Sequence, residues 1–312
     1  MLTTLILSYY IQHFNPPVRR VHRPDETPAY IQNVHPKGSL TVDEQAPIVS
    51  SVAPGSQRVE MLRLKLTSTC TADVPIHTIA VQRRGMGSNS DIKAIYALHR
   101  GRRISRSRTI ARKDGSVDIN LRRFRIAKCS SEDVLILADF SENASPAGEH
   151  RIELRAVEAP NTLVRVEHRA GDFLRRTTGG RGVGQISVVY PKISTRIRYG
   201  TRQRVSRFSL NADSQDNHLI RAITFTNKGS ANDDDLKNLF VEFRNRAISE
   251  VIPEMYGDSV RIPFTPPFLL RKGHKLSFAV RADVRAGRSR TIRFVIEEPS
   301  DVEADVSLGR GG

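Results

Sequence analysis

At 312 residues the chain has room for two ordinary domains that each bury a core, and an apolar fraction of 38% suits two modest cores better than one large one. Trp is absent, aromatics make up 6%, and short runs of Val, Ile and Thr recur, which is the usage of many half-buried strands. A formal net charge of +16 draws acidic partners such as nucleic acid, anionic glycans or lipid surfaces, while two cysteines exclude a disulfide-dense scaffold, a zinc ribbon and a redox Cys-x-x-Cys motif.

Residues 1–45 read as an extended leader, with Pro16, Pro17, Pro24, Pro28 and Pro36 along it. Its apolar start, Met1 to Ile11, has no preceding basic region or small-residue cleavage site, so it is a poor secretory signal and too short for a bilayer span. Uncharged and rich in β-formers, it is a candidate strand donor to a neighbouring sheet edge through Leu2, Leu5, Leu7, Tyr9 and Ile11; a degenerate signal or membrane-proximal segment is the alternative. Residues 46–160 then give strands at Glu60 to Thr69, Ile76 to Gln82, Ile92 to Leu98, Ser116 to Asn120, Val134 to Phe140 and Glu149 to Val157. Leu62-Arg63-Leu64-Lys65-Leu66 alternates strictly, so one face is buried and one wet, whereas 133–140 is apolar on both faces at its centre and predicts a covered central strand. Cys70 ends one strand and Cys129 precedes another; antiparallel pairing of those strands would join them in a disulfide, and two separate thiols are the alternative. Residues 161–186 read as a linker whose stretch Thr177 to Gly184 is a candidate hinge, 187–302 as a second domain and 303–312 as a flexible tail.

The second domain repeats the first at an offset of 144 (223 − 79 for the pair Ile223 and Ile79). Gly85, Asp91, Lys93, Arg100, Arg102, Ile104 and Ser105 match Gly229, Asp235, Lys237, Arg244, Arg246, Ile248 and Ser249, giving 8 identities in the 27 positions 79–105. Ile92, Ile95 and Tyr96 become Leu236, Leu239 and Phe240, swaps that conserve volume as core positions require. Pro47 with Pro191, Leu66 with Leu210 and Asp139 with Asp283 fall at the same spacing. No stretch supports a long amphipathic helix. The fold class is therefore all-β: two tandem immunoglobulin-like β-sandwich domains with an extended N-terminal segment.

The run Val52-Ala53-Pro54-Gly55, the turn Gly85-Met86-Gly87-Ser88 before Asp91-Ile92, the segment Ile104-Ser105-Arg106-Ser107-Arg108 and the late-strand Asp139 and Asp283 resemble a β-sandwich repeat of surface proteins from candidate-phylum (Patescibacteria-like) bacteria. The resemblance covers about 100 residues in each copy. It implies a cell-surface or extracellular structural module and brings no catalytic residues.

Gly179 to Gly184 lacks the Gly-Lys-Ser/Thr of a phosphate loop, and Asn232-Asp233-Asp234-Asp235 lacks the spaced ligands and closing Glu of a calcium loop. The nine His form no His-x-x-x-His or Cys/His cluster, and no Gly-x-Ser-x-Gly elbow or paired carboxylates stand out, so no catalytic, metal or cofactor site is expected. Basic residues form two clusters, one with Arg100, Arg102, Arg103, Arg106 and Arg108 and one with Arg196, Arg198, Arg202 and Arg204. On the wet faces of strands they are solvated; converging on one face they would hold a line of phosphates or sulfates. Aromatic interleaving for base stacking is nearly absent, so nucleic-acid binding would be unspecific. The expected function is a non-enzymatic structural or adhesive subunit, extracellular or at the cell surface, that associates with itself as an oligomer or filament or with other surface proteins. The alternative is a coat or scaffold protein that binds an acidic polymer, nucleic acid or anionic glycan, by Arg-rich sheet faces.

Overall fold

A computed structural model describes residues 37–45, 50–167, 174–179, 181–190, 199–285 and 290–307. The first half forms β1 (Gly38–Gln45), β2 (Ser50–Val52), β3 (Val59–Ser68), β4 (Val74–Arg84), β5 (Ile92–His99), β6 (Arg102–Arg103), β7 (Ser116–Ile126), β8 (Ser131–Phe140), β9 (Glu149–Glu158), β10 (Thr162–Glu167) and β11 (Arg175–Thr177). The second forms β12 (Ile186–Val189), β13 (Gly200–Ala212), β14 (Asn217–Asn227), β15 (Leu236–Phe243), β16 (Arg246–Ala247), β17 (Ile252–Glu254), β18 (Ser259–Leu270), β19 (Lys275–Val284), β20 (Phe294–Val295) and β21 (Val302–Ser307).

Period-2 burial builds the strands that have one wet face. In β3, Leu62, Leu64 and Leu66 are wholly buried while Lys65 and Thr67 face water, and each such Leu contributes about 1.5–3 kcal/mol of burial. The first sandwich packs a sheet of order β10-β1-β3-β8-β5-β6 on one of order β2-β11-β9-β4-β7, over a core that includes Leu40, Leu64, Ile79, Ile95, Ile119 and Ile136. The second packs β12-β13-β19-β15-β16, with β17 also on β15, against β18-β14-β20, with β21 also on β14; at its centre Phe278 stacks on Phe208 and Phe225 meets Phe208 edge-on.

The 144-residue interval recurs in the strands: β5 and β15, β6 and β16, and β8 and β19 have boundaries displaced by that number at both ends. Repeated turn chemistry explains the repeated residues. Ser105 Oγ accepts from Ala97 N at 2.8 Å as Ser249 Oγ does from Val241 N at 2.8 Å. Asp91 accepts from Ser88 N and Asp235 from Asn232 N, each at 2.9 Å. Arg100 and Arg244 take φ of 48° and 49° in the hairpins that lead to β6 and β16. Arg58 and Arg202, also 144 apart, have φ of 56° and 53° and donate their N–H groups to Asp139 and Asp283.

Residues 38–45, read on sequence as leader, form β1, which pairs parallel with β10 and antiparallel with β3 and buries Leu40 and Val42 completely. Residues 162–167 and 175–177, read as linker, form β10 and β11, and 302–307, read mostly as tail, form β21. β10, β11 and β21 are short and bury few apolar side chains, so their own pattern is weak. Cys70 and Cys129 lie at one end of the antiparallel pair β3 and β8, with Cα atoms 4.2 Å apart, and are joined in a disulfide.

Candidate functional site

The two repeats differ where they meet. In the first sandwich β9 runs unbroken along β4, whereas in the second the corresponding edge of β14 is met by two short strands, β20 and β21. Between these lies a turn of 3-10 helix, Pro299–Asp301, with Glu298 at its N-cap position, whose N–H donates to the Asp301 carboxylate at 3.1 Å. That interruption places Ser300 and Asp301, both buried, against the first sandwich. Arg103 reaches them from β6: Nε donates to Asp301 Oδ1 at 2.6 Å, Nη2 to Ser300 Oγ at 2.7 Å and Nη1 to Ser107 Oγ at 2.9 Å. Its guanidinium also covers the Tyr96 ring at 3.6 Å, and Tyr96 Oη donates to Asp139 at 2.9 Å.

Further bonds flank this buried pair. Arg58 donates to Ser300 O at 3.0 Å and lies 3.3 Å from Glu303, which also accepts a two-pronged bond from Arg261. Val183 N donates to Pro54 O, and Gln185 bonds Gln57 and the Gly55 carbonyl. Tyr96, Leu98 and Leu137 form a separate apolar cluster, which accounts for the two-sided apolarity of β8: one face lines the core and the other carries Leu137.

Beside the seam opens a cleft of about 590 Å³ lined by Arg103, Arg106 and Arg122 from one sandwich and Lys228, Arg293 and Val295 to Glu298 from the other. Glu297 is held by Arg122 at 2.7 Å and by Lys228. Burial pushes its carboxyl up, but the bonds and charges of Arg122 and Lys228 outweigh that and hold it below the usual carboxylate range. Burial raises the Glu298 carboxyl, against the pull of Arg103 and with help from Asp301. Arg106 and Arg293 are exposed and make no ion pair among the described residues.

The residues singled out on sequence take separate roles. Arg100 grips Glu132, which also bonds His99, and Arg102 lies over the Tyr256 ring at 3.8 Å. Arg103 is in the seam, Arg106 lines the cleft, and Arg108 is exposed with its backbone bridged to Ile95. Arg202 sits over Phe240, and Arg204 is exposed on β13. Arg196 and Arg198, and the strand-donor positions Leu2, Leu5, Leu7, Tyr9 and Ile11, lie outside the described residues. Sequence reasoning passed over Arg122, Lys228, Arg293, Glu297 and Asp301. No local period marks them, because the contacts they make span up to 198 residues. Arg58 was within reach, since Arg202 repeats it at 144.

A second polar cluster is internal. His150, wholly buried, accepts from Arg83 Nε at 3.2 Å on Nδ1 and lies 3.5 Å from Asp91 on Nε2, under the turn of Gly85 and Gly87. Burial, with the Arg83 charge and against the Asp91 charge, lowers its pKa to about 4, so the ring is neutral near pH 7. Among the described residues no group of three His, Cys, Asp or Glu could hold a metal ion, and no helix is long and apolar enough to cross a membrane.

No family model matches the chain, and no curated protein does. Similar solved structures include the C-terminal domain of the AgI/II polypeptide BspA of Streptococcus agalactiae, with 9% identity, 86% of this chain and 97% of that one covered, and a TM-score of 0.22. The C-terminal domain of the antigen I/II-family protein AspA of Streptococcus pyogenes has 9% identity, covers 80% and 92%, and has a TM-score of 0.20. The major capsid protein P2 of bacteriophage PM2 has 11% identity, covers 81% and 99%, and has a TM-score of 0.23. At these scores the likenesses carry no functional inference.

Proposed function

We propose that the chain is a non-enzymatic structural or adhesive subunit, working outside the cell or on its surface, in which two sandwiches act as one body and the leader joins copies by strand addition. The seam carries this reading: a buried ion pair, a second pair through Arg58 and Glu303 and a backbone bond from Val183 tie the sandwiches at separate points. A subunit that transmits load or spaces neighbours needs such ties, because sandwiches linked only by a loop would turn independently. Strand addition is supported by β10, the outer strand of its sheet, which alternates half-buried and exposed residues and leaves Leu163 59% exposed. By contrast the edge strand β18 carries Pro263, Pro266 and Pro267, which cannot donate to a new strand.

Light scattering of the full chain and of a chain lacking residues 1–36, at low and high salt, tests the reading. The shorter chain keeps β1 and so keeps Leu40 and Val42 in the core. Large assemblies that need the leader and survive salt are expected. A monomer in both forms would overturn assembly through the leader.

A further inference from the structure

We propose that the cleft between the sandwiches is a binding site for a sulfated oligosaccharide, held by Arg106 and Arg293. The inference is independent of self-assembly, since the cleft lies within one chain.

The cleft's cations are unequally engaged. Arg103 is committed to Asp301, and Arg122 with Lys228 encloses Glu297. Arg106 and Arg293 enter from opposite sandwiches, are exposed, and have no carboxylate partner among the described residues. Two free guanidinium forks in one recess match the oxygen pairs of sulfate esters, which they bind by two parallel bonds. The volume of about 590 Å³ is that of a small-ligand site, within a range of roughly 300–1,000 Å³. The rest of the lining suits a sugar. Val295, which is part-exposed, offers an apolar surface for ring C–H groups, the Ser107 hydroxyl both donates and accepts, and the Glu298 carboxyl accepts from sugar hydroxyls.

The same lining disfavours a nucleic acid. No aromatic side chain lines the cleft for base stacking, and Glu297 and Glu298 would repel a continuous row of phosphates. A sulfated sugar spaces its charges among hydroxyls and so fits a recess in which cations and carboxylates alternate.

The test is fluorescence polarisation with a labelled heparin-derived oligosaccharide and the full chain. Four proteins are compared: wild type, Arg106→Ser/Arg293→Ser, the charge-keeping Arg106→Lys/Arg293→Lys, and the charge-matched control Arg108→Ser/Arg112→Ser, whose residues lie outside the cleft lining. The serine pair should weaken binding about tenfold or more, the usual consequence of losing a charge-assisted bond, while the control changes it by about threefold or less, as screened surface charges do. The lysine pair should fall between wild type and the serine pair, because charge remains and the fork is lost. The same oligosaccharide stripped of sulfate should fail to compete. An equal loss in the cleft and control pairs, competition by the desulfated sugar, tighter binding of a single-stranded DNA oligonucleotide through the same two arginines, or no binding by wild type would each overturn the site.

Discussion

Replacing Arg103 by Met tests what holds the seam. The change removes the donors to Asp301, Ser300 and Ser107 and the cation over Tyr96. Asp301, whose side chain is 3% exposed, is left with the Glu298 N–H, at 3.1 Å, as a donor. Stranding one buried ion costs about 3–5 kcal/mol, a large share of the roughly 5–15 kcal/mol that keeps a protein folded. The ion pair itself contributes less than that, because both charges were desolvated to form it; it selects the docking geometry more than it stabilises it. Pairing Arg103→Met with Asp301→Leu should therefore recover part of the loss, with an interaction energy of about 0.5–3 kcal/mol. Urea unfolding followed by circular dichroism measures all three variants, and calorimetry shows whether the two sandwiches still unfold together. A single variant that loses less than about 1 kcal/mol, or losses that simply add, would show that this pair does not hold the seam.

Three further outcomes follow from the geometry. His150 titrates near 4 when folded against 6.5 ordinarily, so the unfolded chain takes up its proton first. Stability from this residue is complete above about pH 6.5 and lost as pH falls towards 4, by about 3 kcal/mol in all; urea midpoints should converge at low pH for wild type and His150→Gln, and parallel pH profiles would contradict this. Gly85→Ala places a Cβ against the Glu149 carbonyl oxygen at φ +107°, and Gly229→Ala meets the Thr291 carbonyl oxygen; each should cost about 2–4 kcal/mol in thermal unfolding, and a neutral Gly85→Ala would disprove the close approach. The disulfide closes a separation of 59 residues, so Cys70→Ser should destabilise by about 2–4 kcal/mol; free thiols in the denatured, unreduced wild type would contradict the bond.

What the sequence reveals depends on range. Asp91, Arg100 and Ser105 repeat because each makes a bond or turn within a few residues that both copies need, and a repeat exposes such needs without a structure. The alternation of β3 is equally local. The seam is not: Arg103 sits in a basic run that reads as a solvated face, and only a fold that brings residue 301 to it turns the charge inward. The parallel pairing of β1 with β10 escapes for the same reason, since the partners are 124 residues apart (162 − 38). The interruption between β20 and β21, which makes the second sandwich differ from the first, leaves two strands of two and six residues whose apolar pattern is too short to read.

Residual dipolar couplings, measured on the isotope-labelled chain lacking residues 1–36, test whether the sandwiches form one body. A single alignment tensor should fit β1 to β11 and β12 to β21 together, and Arg103→Met should split it. Two distinct tensors in the wild-type chain would contradict it.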